Sequence, residues 1–104
     1  MVERKIIYSK KASQTLRNIL SFYNRRNGSN LYSLKLAKEL ETLIFLLANN
    51  PFLGIQTDYS DTVRYLIRSN FKIFYEINPQ SIDILMIWDT RRNPDDLELE
   101  FKND

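Results

Sequence analysis

Five cations fall between positions 64 and 92: Arg64, Arg68, Lys72, Arg91 and Arg92. Arginine presents a planar fork of donors that matches phosphate and carboxylate, and lysine adds a mobile point charge. A compact sheet that gathers these side chains would make a cationic surface suited to phosphate or to an acidic partner. The chain has no cysteine and no histidine. Disulfides, thiol nucleophiles and the usual zinc sites are therefore excluded. So is the commonest general base near neutral pH. No metal and no cofactor is implied by the residues.

The cations belong to three β-type runs, Val63 to Arg68, Phe71 to Ile77 and Ile82 to Trp88: Arg64 and Arg68 lie in the first, Lys72 in the second, and Arg91 and Arg92 at the exit of the third. Ser69-Asn70 is a hairpin-type break, and Asn78 to Ser81 is a four-residue turn. In the first run Arg64, Leu66 and Arg68 oppose Val63, Tyr65 and Ile67. In the second, Phe71, Ile73, Tyr75 and Ile77 oppose Lys72, Phe74 and Glu76. In the third, strict alternation puts Ile82, Ile84, Met86 and Trp88 on one face, and Asp83, Leu85, Ile87 and Asp89 on the other. A two-residue turn places Arg68 and Phe71 on one face, and one extra residue swaps them; the sequence leaves both open.

Ahead of these runs lies a short β-type segment, Val2 to Tyr8. Ser9 is positioned to cap a helix with the stripe Ala12, Leu16, Ile19, Leu20 and Tyr23. Asn27-Gly28 ends that helix. Ser29 or Asn30 opens a second one, whose stripe is Leu31, Leu34, Lys38, Leu40 to Glu41, Leu43, Ile44 and Leu47, widened by Leu36 and Ala37. Asn49-Asn50-Pro51 stops it. So short a connection implies an antiparallel helical hairpin. Phe52 to Asp61 reads as loop.

The expected fold is α+β with two layers. An N-terminal strand and the helical hairpin pack on one face of a mostly antiparallel sheet, in the order β-α-α-β-β-β. The other sheet face should stay open, and a site should sit there. With 104 residues the chain is expected to form one domain, residues 1–104, with 98–104 a frayed acidic tail. No secretory signal is expected at Met1 to Tyr8, and the longest apolar run, Leu43 to Ala48, is too short for a bilayer. A cytoplasmic protein without a membrane partner is the expectation. Net charge is +2 overall. Residues 1–92 hold 14 Lys/Arg against 8 Asp/Glu, so the body is basic and the last residues acidic. Between Ser9 and Lys38 there are seven basic residues and no acidic one.

The ordered set Ile7-Tyr8-Ser9, the helix pair closing on Asn50-Pro51, Val63-Arg64-Tyr65-Leu66-Ile67-Arg68, and Ile84 to Pro94 resembles the RelE/ParE family of toxins from bacterial type II toxin–antitoxin modules. The resemblance implies a RelE-like fold and a growth-arresting, plasmid-stabilising toxin neutralised by a cognate antitoxin. It also implies two targets. The RelE branch is similar to a ribosome-dependent mRNA endoribonuclease. Arg68 and Arg91 would be its catalytic cations, supported by Lys72, Arg64 and Glu76. The ParE branch is similar in fold and binds DNA gyrase without breaking a bond. RNA cleavage needs a base, an acid and cations on the phosphorane. Here the base would have to be Glu76, Lys72 or Tyr75. Many nucleases of the family carry a tyrosine or histidine near the positions held by Asp95 to Leu97, and this chain has none there. The reading therefore leans to a gyrase poison. The ribosome-dependent ribonuclease stands as the alternative, and an inactive member that only binds an antitoxin as the third. Partner contacts are expected at Arg64, Arg92, Trp88 and Leu97.

Overall fold

A computed structural model describes residues 3–58 and 60–91. The elements in order are β1 (Lys5–Tyr8), α1 (Lys10–Asn27), α2 (Leu31–Leu46), a 3-10 turn (Pro51–Leu53), β2 (Ile55–Gln56), β3 (Val63–Arg68), β4 (Phe71–Ile77) and β5 (Ser81–Asp89). The five strands form one sheet in the order β1-β5-β4-β3-β2. Only the β1–β5 pair is parallel. The two-layer α+β fold expected from the sequence is the observed one, with the two-residue β2 added inside the segment read as loop.

Ser9 joins the layers. Its hydroxyl accepts from the Ala12 amide at 2.9 Å and caps α1. The same hydroxyl donates to the Leu85 carbonyl at 2.9 Å. Gly28 ends α1 in the left-handed conformation, φ 64°, where a side chain would be strained. At the start of α2 the Ser29 hydroxyl accepts from Leu31 N at 3.3 Å, while Asn30 makes no side-chain cap. Buried Ser33 ties the hairpin together by donating to the Asn24 side chain and to the Asn30 carbonyl.

The α1 stripe packs as its spacing predicts: Ala12 and Tyr23 are buried, and Leu16, Ile19 and Leu20 lie against the core. Along α2 and its C-cap residue the buried apolar line is Leu36, Leu40, Ile44 and Leu47. Leu31 and Leu34, expected in the stripe, are exposed. The helix has more leucines than one face can bury, so spacing alone could not choose among them.

The two-residue turn at Ser69-Asn70 pairs Arg68 with Phe71. Arg64, Leu66 and Arg68 therefore share a face with Phe71, Ile73 and Tyr75, which belong to the helix-side core. Strict alternation fails on β5. Phe74 pairs with Met86 and Tyr75 with Ile84, so Leu85 is an inserted bulge residue. Past it the phase inverts. Ile82, Ile84 and Ile87 join the helix-side core, while Met86 and Trp88 turn to the opposite face beside Phe74. That second cluster is 1–3% exposed, so the far face is not bare where these residues lie. The bulge explains the double duty of Ser9: the Leu85 carbonyl has left the ladder and takes the hydroxyl. Beyond the reach of β1, the Ile87 amide donates to Thr15 Oγ1 at 3.1 Å, so α1 covers the remaining edge of β5.

Candidate functional site

The four cations among the described residues, Arg64, Arg68, Lys72 and Arg91, do not converge on one surface. Arg64 sits near the start of β3, opposite Tyr75. Its Nη1 donates to the Gly54 carbonyl at 2.7 Å, and its guanidinium lies 5.0 Å from the Phe52 ring centroid. Tyr75 completes the clasp. Its buried hydroxyl donates to the Pro51 carbonyl at 2.7 Å and accepts from Gly54 N at 2.8 Å. Burial raises the Tyr75 phenol above its ordinary value, against smaller lowering effects from the Gly54 amide and Arg64. Arg64 and Tyr75 thus hold the turn from Pro51 to Gly54, which presents Phe52 and Leu53 to solvent.

Arg68 ends the same strand about 13 Å further on. Its Nε lies 3.9 Å from the Glu39 carboxylate of α2, a loose and largely exposed pair. Arg91 lies two residues past β5. Its Nε and Nη2 donate to the two Asp89 oxygens at 3.0 and 2.8 Å. Nη2 also donates to the Tyr23 hydroxyl. The bidentate bond to Asp89, then the bond to Tyr23, raises the pKa of an already permanent cation. Asp89 pairs with Phe71, which pairs with Arg68, so Arg68 and Arg91 share one end of the sheet.

Lys72 is on the other face. It pairs with Ile67 and Trp88, and its ammonium lies 4.7 Å from the Tyr65 ring centroid. Glu76 accepts from the Thr62 hydroxyl at 2.7 Å, beside Val63 and Asp83. Trp88 packs with Phe74 and Met86, and at 3% exposure offers little surface to a partner. Arg92 and Leu97, like the tail 98–104 and the segment Asp95 to Leu97, lie outside the described residues.

Outside the sites expected from the sequence, a cleft of about 430 Å³ lies between α2 and β3, lined by Lys35, Lys38, Glu39, Thr42, Leu43, Leu46 and Arg68. Its signal was present: positions 35, 38, 39, 42 and 46 share one helix flank. The partner Arg68 could be supplied only by tertiary structure. Among the described residues no group of three or more acidic, histidine or cysteine side chains could hold a metal. No described helix is long and apolar enough to cross a membrane.

The fold and the ordered strand motifs define a small toxin of the RelE/ParE type. The family described as ParE toxin of the type II toxin–antitoxin system, parDE, matches residues 6–94, and the chain belongs to it. Among solved structures, the chromosomal ParDE toxin–antitoxin system from P. aeruginosa superposes with a TM-score of 0.70 at 22% identity, covering 82% of this chain and 94% of that one. The E. coli DinJ–YafQ toxin–antitoxin complex gives 0.56 at 14% identity, covering 86% and 96%. YafQ from E. coli strain BL21(DE3) gives 0.54 at 14% identity, with the same coverage. At these identities the likeness is one of fold. A search of curated proteins returns no match.

Proposed function

We propose that the chain arrests growth in the cytoplasm by binding DNA gyrase, breaking no bond itself, and that a cognate antitoxin holds it inactive. The observation that carries this reading is the scatter of the groups a nuclease would have to gather. Arg68 and Arg91 share one end of the sheet, yet none of the three candidate bases stands with them. Tyr75 is buried and committed to Pro51 and Gly54. Glu76 is held by Thr62 near the other end. Lys72 faces away from Arg68. General base catalysis needs the base within about 3 Å of its proton, or one water away. Membership in the ParE toxin family supports the same choice.

The test is direct. The purified chain should inhibit supercoiling by gyrase, and mRNA recovered after induction should show no new 5′ ends by primer extension. Codon-spaced cuts in translated messages, lost in Arg68→Ala and Arg91→Ala alike, would replace this reading with the ribosome-dependent ribonuclease. Unimpeded growth with soluble expression would leave an inactive member that binds only its antitoxin.

A further inference from the structure

Three side chains on the sheet face opposite the helices are buried, with no layer over them among the described residues. Phe74, Met86 and Trp88 are 2%, 1% and 3% exposed. Their cluster contains no helix residue, and the partly buried neighbours packed against it, Tyr65 and Leu85, belong to the same sheet. Side chains stand roughly perpendicular to a sheet, so strand neighbours shield their flanks and leave their ends to water. A tryptophan at 3% exposure needs a second layer, about 10 Å above the first.

The chain itself narrows what that layer is. Residues 1–2, 59 and 92–104 lie outside the described ones. Trp88 pairs with Lys72 and Lys72 with Ile67, so the cluster reaches the end of the sheet where β5 stops. Residue 59 adjoins Ser60, whose carbonyl accepts from Val63 N, and Val63 lies about 13 Å along β3 from Ile67. Residues 1–2 precede β1, which pairs from Lys5 with Ser81, roughly 20 Å from Trp88 along β5. The continuation past Arg91, by contrast, starts within a few residues of Trp88. Six residues from Arg91 to Leu97 span at most about 20 Å, enough to turn back across this face. There the sequence reads Leu97-Glu98-Leu99-Glu100-Phe101. Apolar and acidic residues alternate, so an extended segment has one apolar side and one acidic side. Lys72, level with Trp88, supplies a cation on the same face.

We propose that Leu97, Leu99 and Phe101 seat on Phe74, Met86 and Trp88 and close this face of the sheet. The segment lies past residue 94, where the match to the ParE toxin family ends, so the cover is an addition to the matched fold. It shields the face that carries Lys72 and Glu76 from nucleic acid or a second protein. Its acidic side is turned outward and repels phosphate. The inference goes beyond the gyrase reading and stands whether or not gyrase is the target.

Trp88 is the sole tryptophan, so its fluorescence reports the cover directly. In the full chain its emission should be blue-shifted, and acrylamide should quench it poorly. Joint Leu97→Ser, Leu99→Ser and Phe101→Ser substitution should move the emission to longer wavelength and raise the quenching constant severalfold, with circular dichroism unchanged. Joint Glu98→Gln and Glu100→Gln substitution should leave Trp88 protected, because apolar contact carries the burial. Undiminished protection of Trp88 in a folded triple variant would overturn the proposal. If that variant does not fold, nuclear Overhauser contacts in the isotope-labelled parent decide. Contacts from the Trp88 and Phe74 rings to the methyl groups of Leu97 and Leu99 are expected, and ring contacts to other side chains in their place would sink the idea. Loss of Trp88 protection on dilution of the parent would assign the cover to a second copy instead.

Discussion

Gly54 is fixed by its neighbours, not by its backbone angle, since φ is an ordinary −82°. A Cβ there would lie 2.6 Å from the Tyr65 carbonyl oxygen and 2.6 Å from the Tyr75 hydroxyl. Gly54→Ala must push backbone or a buried ring aside, and should cost about 1–3 kcal/mol in denaturant unfolding. Tyr75→Phe keeps the ring but strands the Pro51 carbonyl and the Gly54 amide, for a similar loss of about 1–3 kcal/mol. The same tyrosine gives a pH signature. Its folded-state pKa is raised above the ordinary 10.0, mainly by burial. The folded state then holds the proton more tightly than the unfolded one. The stabilisation is complete below pH 10 and is lost as pH rises through the folded-state pKa. Melting temperature should fall more steeply above pH 10 in the parent than in Tyr75→Phe. Parallel alkaline curves would show that another group controls the loss. Neither role could be read from the sequence, where Tyr75 is one aromatic in an apolar strand and Gly54 a glycine in a loop. The residues that close on them are ten to twenty-four positions away.

Elements were legible where the signal is local. Ser9 before an apolar stripe, Gly28 after one, and Pro51 past the next each act on their own turn of chain. The strands between their turn residues were equally plain. Faces were less so, because a face depends on counting without a slip. The Leu85 bulge inserts one residue, and every later side chain of β5 changes sides. Ile82, Ile84, Met86 and Trp88 look like one apolar row in sequence and are two half rows in space. Arg64 and Arg68, whose face the sequence left open, point to the helix side, because the tight turn pairs Arg68 with Phe71. Ser9 connects the legible part to the hidden one, since it caps α1 and satisfies the bulge carbonyl. Ser9→Ala should therefore cost about 2 kcal/mol, the upper end of the range for losing a cap. Ser9→Asp should recover only part of this. A carboxylate accepts from Ala12 N but cannot donate to Leu85. Full recovery with aspartate would mean that the Leu85 contact contributes nothing measurable.

For the whole molecule, the controlling quantities are charge and exposed apolar area together. Residues 1–92 carry 14 basic against 8 acidic side chains, and the stretch from Ser9 to Lys38 has no acidic residue. Such a body attracts an acidic partner from a distance and speeds encounter at low salt. The same surface exposes Phe45, Leu46, Phe52 and Leu53 around the C-terminal end of α2 and the turn after it. Contacts to these side chains are not screened, because burial of apolar surface does not depend on the Debye length. The two contributions separate in kinetics. Raising sodium chloride from about 0.1 M to about 0.5 M shortens the screening length from roughly 10 Å to under half of that. Association with the antitoxin should slow by about tenfold or more, whereas dissociation should change by less than about threefold. The complex should then weaken with salt yet remain associated at micromolar concentration. Surface-immobilised antitoxin and a salt series of toxin injections measure both rates directly. If dissociation accelerated as strongly as association slowed, and the complex fell apart at ~0.5 M salt, the contact would be electrostatic throughout. The exposed phenylalanines and leucines would then have to lie outside the interface.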